Sequence, residues 1–184
     1  MLLGLIIFFA LPILLVLVLH QTGWRPGGTS HGELLTPPQA LQLPALQDLQ
    51  GRPFLLAQWR SKWSLVYAAG SDGCTAACQQ QVHTLRQIHA SLNKDIERAQ
   101  RVLLLPREAD TRNLPLLQQR YPDLIVLLAQ GELQLAGHAA QPGQVNDVFL
   151  VDPMGNLIMR YAPGYAPKGL REDLQRLLKY SWVG

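Results

Sequence analysis

Residues 63 to 78 read WSLVYAAGSDGCTAAC. An apolar run, Trp63 to Ala69, predicts a strand, and Gly70 to Gly73 break it. From Cys74 the chain takes up a helical period. Cys78, Val82, Leu85, Leu92, Ile96 and Ala99 follow one another at steps that keep them on one face, which predicts one long helix with a single buried stripe. Ser71 or Asp72 is the expected N-cap, and Glu97, Arg98 and Arg101 are expected to close its polar side. The chain's only two cysteines thus sit at one strand-to-helix junction.

The pattern continues in both directions. Residues 54–59 are expected to form a strand before the junction. ValLeuLeuLeu (102–105), stopped by Pro106, and LeuIleValLeuLeu (124–128) have the short, fully apolar character of strands buried on both faces. A helix is expected over Leu114–Tyr121 between them. ValPheLeuVal and LeuIleMetArgTyr flank AspProMetGlyAsn (152–156), whose Pro and Gly suit a tight hairpin. Lys168 to Tyr180 repeats leucines at helical spacing. Strand-helix-strand units followed by an antiparallel pair predict an α/β domain, a mixed central sheet covered on both faces by helices. Trp59 and Trp63 are expected to pack on that sheet, and Asp147 and Asp152 to serve strand ends and turns.

The spacing of Cys74 and Cys78 carries the chemistry. Cysteines four apart share a helix face, so their sulfurs can form a disulfide or meet a linear Cu(I). Unpaired N–H groups and the partial positive charge at a helix N-terminus favour the thiolate, the reactive and metal-binding form. Cys78 lies on the buried stripe and Cys74 at the helix mouth. Cys74 is therefore expected to be the accessible nucleophile and Cys78 its resolving partner. Two alternatives stand beside this: a static disulfide stapling the turn, and two small apolar residues in packing.

The first 24 residues contain none of the chain's 29 charged residues. Leu2 to Leu19 are uniformly apolar and span about 27 Å as a helix, close to the roughly 30 Å hydrocarbon core of a bilayer. A basic start and a small-x-small cleavage site are both missing, so residues 1–20 are expected to be a retained transmembrane anchor contacting lipid through residues 2–19 rather than a cleaved signal. Residues 21–45, rich in Gly, Pro, Ser and Thr, are expected to be a linker, with the folded domain over 46–184. Arg25 after the helix favours a cytoplasmic domain by the charge rule, whereas a cysteine pair prefers an oxidising compartment; the thiol chemistry places the domain in the periplasm or its equivalent. The net charge of +3 comes from interspersed Lys, Arg, Asp and Glu, with no basic stripe for nucleic acid. Two cysteines exclude both a disulfide-framework miniprotein and a four-cysteine zinc site.

The 63–78 stretch, the helix after it, ValLeuLeuLeu and PheLeuValAspProMetGlyAsnLeuIleMetArgTyr (149–161) resemble the Sco/SenC family over about residues 46–180, and the anchor and tether match as well. The resemblance implies a membrane-anchored thioredoxin-like fold. It implies a role in cytochrome c oxidase assembly, either delivering copper to the oxidase or reducing its copper-site cysteines as a thiol-disulfide oxidoreductase. A non-catalytic assembly scaffold is a third reading. The implied partners are an oxidase subunit or its assembly factors and an electron-donating thiol protein. Cys74 and Cys78 match the family's metal and thiol pair. The family's distant histidine does not carry over: residues 144–147 read GlnValAsnAsp, and the prolines usual at the cysteine motif are missing. Two thiolates still suit Cu(I), but Cu(II) needs a further nitrogen or oxygen donor. His138, in the loop GlyHisAlaAlaGlnProGly, is the candidate replacement. His83 and His89 are expected on the exposed side of the long helix, and His20 and His31 in the interface and linker.

Overall fold

The computed structural model describes residues 2–21, 30–41, 45–131, 134–135, 138–139 and 146–181. Among the described residues five α-helices and ten strands follow in order: α1 (Leu2–Gln21), β1 (Glu33–Ala40), β2 (Leu46–Gln47), β3 (Pro53–Phe54), α2 (Leu56–Trp59), β4 (Trp63–Ala68), α3 (Ala76–Ala90), β5 (Ala99–Pro106), α4 (Leu114–Arg120), β6 (Leu124–Ala129), β7 (Gln134–Leu135), β8 (His138–Ala139), β9 (Val148–Val151), β10 (Asn156–Tyr161) and α5 (Pro167–Tyr180). A 3-10 helix, Asn93–Arg98, joins α3 to β5.

Eight strands form one sheet in the order β1-β10-β9-β4-β5-β6-β2-β3. β4, β5 and β6 run parallel, and β9 pairs antiparallel with β4 on the other side. β4 and β9 are buried along their whole length and β5 along most of its own because both faces are covered, which is why they read as apolar runs. Within them the side chains alternate. Leu65 and Tyr67 of β4, with Leu103 and Leu105 of β5, point to one core shared with α3, α4 and α5. Val66, Ala68, Val102 and Leu104 point to a second core with Leu41, Leu46, Trp59, Phe149 and Val151. The helical cover is therefore uneven: three helices serve one face, and the single turn of α2 serves the other. Trp59 and Trp63 pack as expected, at 1% and 5% exposure.

Three local expectations change. The strand expected over 54–59 is mostly α2. The Leu55 N–H donates to Gln58 Oε1 at 2.9 Å, turning the chain, and Trp59 folds edge-on to Phe54 with ring centroids 6.2 Å apart. The helix expected to run from Cys74 to Arg101 stops at Ala90, because Asn93 takes up a left-handed backbone (φ 52°) that α-helix does not admit. Ile96 and Ala99, read as a continuation of the stripe, belong to the 3-10 helix and to β5. Arg98 holds this reversal by donating to Leu178 O at 2.9 Å and Ser181 O at 3.0 Å, at the end of α5.

The linker expected over 21–45 contains strand β1, which pairs antiparallel with β10 (Glu33 with Arg160, Ala40 with Asn156). A buried carboxylate pins the residues just before it. Asp173 Oδ2 accepts from the backbone N–H of His31 at 2.7 Å, the N–H of Gly32 at 3.1 Å and the Tyr161 hydroxyl at 2.9 Å. The fit requires glycine twice: a Cβ on Gly32 would lie 2.6 Å from the Tyr161 ring, and one on Gly169 would lie 2.6 Å from His31. His31 is thus a docked residue, with Nε2 3.0 Å from Glu172. At the N-terminus the backbone of α1 is helical over 20 residues, and Phe8, Phe9, Leu11, Ile13 and Leu14 are among its exposed side chains. Among the described residues no helix is long and apolar enough to cross a membrane.

Candidate functional site

β4 delivers the chain to the middle of the sheet's edge. The Ala68 N–H donates to Asp147 O at 3.2 Å and the Ala69 N–H to Leu104 O at 2.9 Å, so the exit lies between β5 and β9. Gly70 to Gly73 then reverse direction, with Gly73 at φ 74°. Thr75, rather than Ser71 or Asp72, is the N-cap of α3, and its side chain makes no capping bond. Cys74 precedes the helix and Cys78 sits in its first turn, and a disulfide joins them with the Cα atoms 5.0 Å apart. The Gln79 side-chain amide donates to Cys74 O at 3.4 Å.

Both cysteines are buried, Cys74 at 3% and Cys78 at 2% exposure. The expectation that Cys74 stands open at the helix mouth is corrected: it joins the same core cluster as Cys78, Val82 and Leu85. The helix period foresaw the burial of Cys78. The burial of Cys74 depends on chain segments remote in sequence.

Polar groups surround this end of α3. Gln81, one turn beyond Cys78, donates its amide to the Tyr165 hydroxyl, and the rings of Tyr161 and Tyr165 meet edge-on at 5.5 Å. The Tyr67 hydroxyl donates to Asn146 Oδ1 at 2.9 Å. Burial, reinforced by Tyr165, pushes the Tyr67 phenol up to about 12, so it stays a protonated donor. Asn146 falls in the stretch where the Sco/SenC resemblance would place a histidine, and a tyrosine hydroxyl engages it. Sequence reading missed this pair because a Tyr in a strand signals packing alone. Asp147 pairs with Arg160 Nε at 2.7 Å. Asp152 lies at the opposite end of β9, beyond the Val151–Ser64 pair and away from the cysteines, where it closes the hairpin turn, accepting from the N–H groups of Met154 at 2.9 Å and Asn156 at 2.8 Å.

Among the described residues no histidine side chain joins the cysteines in a metal-holding group. The backbone of His138 lies in β8, paired with Leu135, rather than in a loop; its side chain lies outside the described residues. His83 is half-buried, its Nδ1 3.2 Å from the Tyr121 hydroxyl. It lines a cleft of about 350 Å³ between α3 and α4 with Gln79, Gln80 and Arg120. Among the described residues no group of three or more His, Cys, Asp and Glu is placed to hold a metal. The two sulfurs are bonded to each other here, so only after reduction would they present thiolates, a pair that suits Cu(I) and leaves Cu(II) short of donors.

His89, expected on an exposed face, is buried at 8% exposure. Its Nε2 lies 3.0 Å from both Ile96 O and Ala99 O. Carbonyls only accept, so Nε2 carries the proton. Burial, with the nearby Arg101 guanidinium, lowers its pKa below the ordinary 6.5 despite Asp123. The unfolded chain therefore takes up this proton more readily than the folded one. Stability from His89 is complete above about pH 6.5 and is lost as the pH falls through the lower folded value. Urea midpoints measured from pH 7.5 to 5 are expected to fall with acid, and a His89→Gln variant is expected to show a flatter profile across that window.

The family described as transmembrane-like, thioredoxin-like, C-terminal domain matches residues 63–181, from the start of β4 to the end of α5. The chain belongs to that family. No curated protein matches its sequence. Among solved structures it is similar to the apo Sco1 protein from Thermus thermophilus, at 22% identity over 82% of this chain and 99% of that one, with a TM-score of 0.62. Yeast Sco1 with copper bound is similar at 18% identity over 78% and 95% of the two chains, with a TM-score of 0.59. A putative protein disulfide isomerase from Bacteroides thetaiotaomicron is similar at 14% identity over 82% and 95%, with a TM-score of 0.58. The thioredoxin-like mixed sheet flanked by helices is thus the fold of this family member, and the β4–α3 junction is where it carries Cys74 and Cys78.

Proposed function

We propose that this protein is a membrane-anchored assembly factor for a respiratory cytochrome oxidase that reduces a client disulfide through Cys74 and Cys78. The observation that carries the reading is the Cys74–Cys78 disulfide, formed across the first turn of α3 in a fold shared with Sco proteins. In the reduced protein the Cys74 thiolate attacks one sulfur of the client disulfide. A mixed disulfide forms and the first client thiolate leaves. The Cys78 thiolate then attacks Cys74 Sγ, releasing the second client thiolate and closing the Cys74–Cys78 bond. Two electrons and two protons pass to the client, and an electron-donating thiol protein restores the dithiol. Residues 2–19 anchor the chain in lipid and the domain faces the periplasm, which supplies the oxidising setting that a client disulfide requires.

A second reading, Cu(I) carriage, draws on the shared fold with copper-bound Sco structures and on two sulfurs that suit a soft ion. One pair of measurements separates the two. A reductant requires a Cys74/Cys78 couple less reducing than about −300 mV, since a more reducing disulfide behaves as structural. A carrier requires a tight 1:1 complex in anaerobic titration of the reduced protein with Cu(I) against a competing chelator, lost when both cysteines are replaced. The expected result is a potential above that limit; a lower one, with tight Cu(I) binding, overturns the reductant in favour of the carrier.

A further inference from the structure

A disulfide that must be opened by an incoming thiol lies here at 3% and 2% exposure. The turn between β5 and α4 reaches the chain just before Cys74. The Asp110 N–H donates to Ser71 O at 3.3 Å, and a Cβ added to Gly73 would lie 2.2 Å from the Asp110 backbone carbonyl. This close approach exists because residue 73 has no side chain and takes a left-handed backbone, φ 74°. Ala109, the neighbour of Asp110, is buried in the same cluster as Cys74 and Cys78. The turn is otherwise built on itself. Asp110 accepts from Arg112 N, Nε and Nη2 at 2.6 to 3.0 Å, and these hydrogen bonds to Arg112 hold its carboxyl down at about 2. Residues 107, 108 and 111–113 are exposed. The turn is thus a preformed unit joined to the cysteine loop by one long hydrogen bond and one glycine contact, with the small side chain of Ala109 tucked into the core beneath it.

We propose that the turn Arg107–Asn113 is a lid on the Cys74–Cys78 disulfide, seated on Gly73 through Asp110, and that its release admits the reducing thiol. This rests on the thiol-exchange reading of the site and names what controls access to it. With the lid raised, a donor thiolate attacks one cysteine sulfur, the Cys74–Cys78 bond breaks and a mixed disulfide forms. A second donor thiolate displaces that cysteine. Both cysteines end as thiols carrying the donor's two protons, and the donor ends as a disulfide. The lid moves without unfolding the sheet, because the hydrogen bond, the Gly73 contact and the burial of Ala109 all lie beyond the last paired residue of β5, Pro106.

The test uses the full chain in detergent, oxidised and then reduced with dithiothreitol, with alkylation and mass measurement over time. Reduction is expected to proceed by local opening, at a rate nearly independent of urea well below the unfolding transition. Gly73→Ala, which puts a methyl group against a backbone carbonyl and penalises the left-handed backbone, is expected to raise that rate at least about tenfold. A rate unchanged in folded Gly73→Ala overturns the lid, as does wild-type reduction with the urea dependence of global unfolding. Should Gly73→Ala not fold, wild-type hydrogen exchange decides. The Asp110 amide is expected to exchange by the same urea-independent opening, ahead of the Leu103 amide; exchange only together with Leu103 overturns the proposal. Dithiothreitol replaces the biological donor, so failure here leaves client reduction standing, and failure of client reduction leaves the lid kinetics intact.

Discussion

Cells carrying Cys74→Ala, Cys78→Ala in place of the native chain are expected to lose oxidase activity to the level of a strain without the protein, while the variant accumulates and folds. Loss of function is complete because no other cysteine exists to attack or resolve a disulfide. The loss in stability is modest: a cross-link spanning a separation of four restricts a small loop of the unfolded chain and contributes about 2 kcal/mol. Alanine is the informative replacement. At 3% and 2% exposure serine would bury two hydroxyls, and each costs about 1–3 kcal/mol where it finds no partner. Oxidase activity and immunoblotting of the membrane fraction check the result together. Native activity in a strain with normal amounts of the variant would leave the protein a non-catalytic scaffold.

Asp173→Ala is expected to cause the largest loss of stability. One buried carboxylate oxygen accepts from His31 N, Gly32 N and Tyr161 Oη. Removing it deprives three donors on two segments of their shared acceptor at 3% exposure, the Tyr161 hydroxyl keeping only a weak 3.6 Å contact to Met159 Sδ. Bonds to a charged group contribute about 1.5–3 kcal/mol each and partly substitute for one another, so a total near 3–5 kcal/mol is expected. In a domain of this size that lowers the thermal midpoint by about 10 °C or more. Asp173→Asn keeps an oxygen acceptor and is expected to cost less than half as much. Calorimetry or circular dichroism of the two variants and of Tyr161→Phe, which removes one donor, gives the ranking. Equal, small losses in all three would show that β1 holds itself on β10 without the clamp. The consequence reaches beyond stability: His31 and Gly32 are pinned to Asp173 of α5, so the ordered packing of the domain begins ahead of β1.

Elements whose signals are local were legible in the sequence. β4, β5, β6, the β9–β10 hairpin, α4 and α5 lie where apolar period, Pro and Gly marked them, because both the burial of a strand and the turn of a hairpin are written within a few residues. The CxxxC pair at a strand-to-helix junction was legible for the same reason. The limit of α3 was not: Leu92, Ile96 and Ala99 keep helical spacing while belonging to a turn, a 3-10 helix and a strand, since spacing registers burial and not the backbone that achieves it. β1 was hidden in a stretch whose prolines and polar residues read as linker, because an edge strand pairs along one side only and needs no apolar run.

By itself, then, the sequence determined the order of the central elements, the burial of the central strands on both faces, and the placing of Cys74 and Cys78 together at one strand-to-helix junction. The tertiary structure alone decided that Cys74 is covered rather than open, that His89 is buried and neutral in character rather than on a solvated face, and that His31 and Gly32 dock on a carboxylate 142 and 141 residues away. Asp110 against Gly73, Tyr67 against Asn146 and Asp173 against the residues before β1 are contacts between segments remote in the chain. A residue's own neighbours set its backbone preference and its period. What covers a sulfur, orphans a donor or shifts an imidazole is set by whatever the folded chain brings against it, and that is a property of the packing.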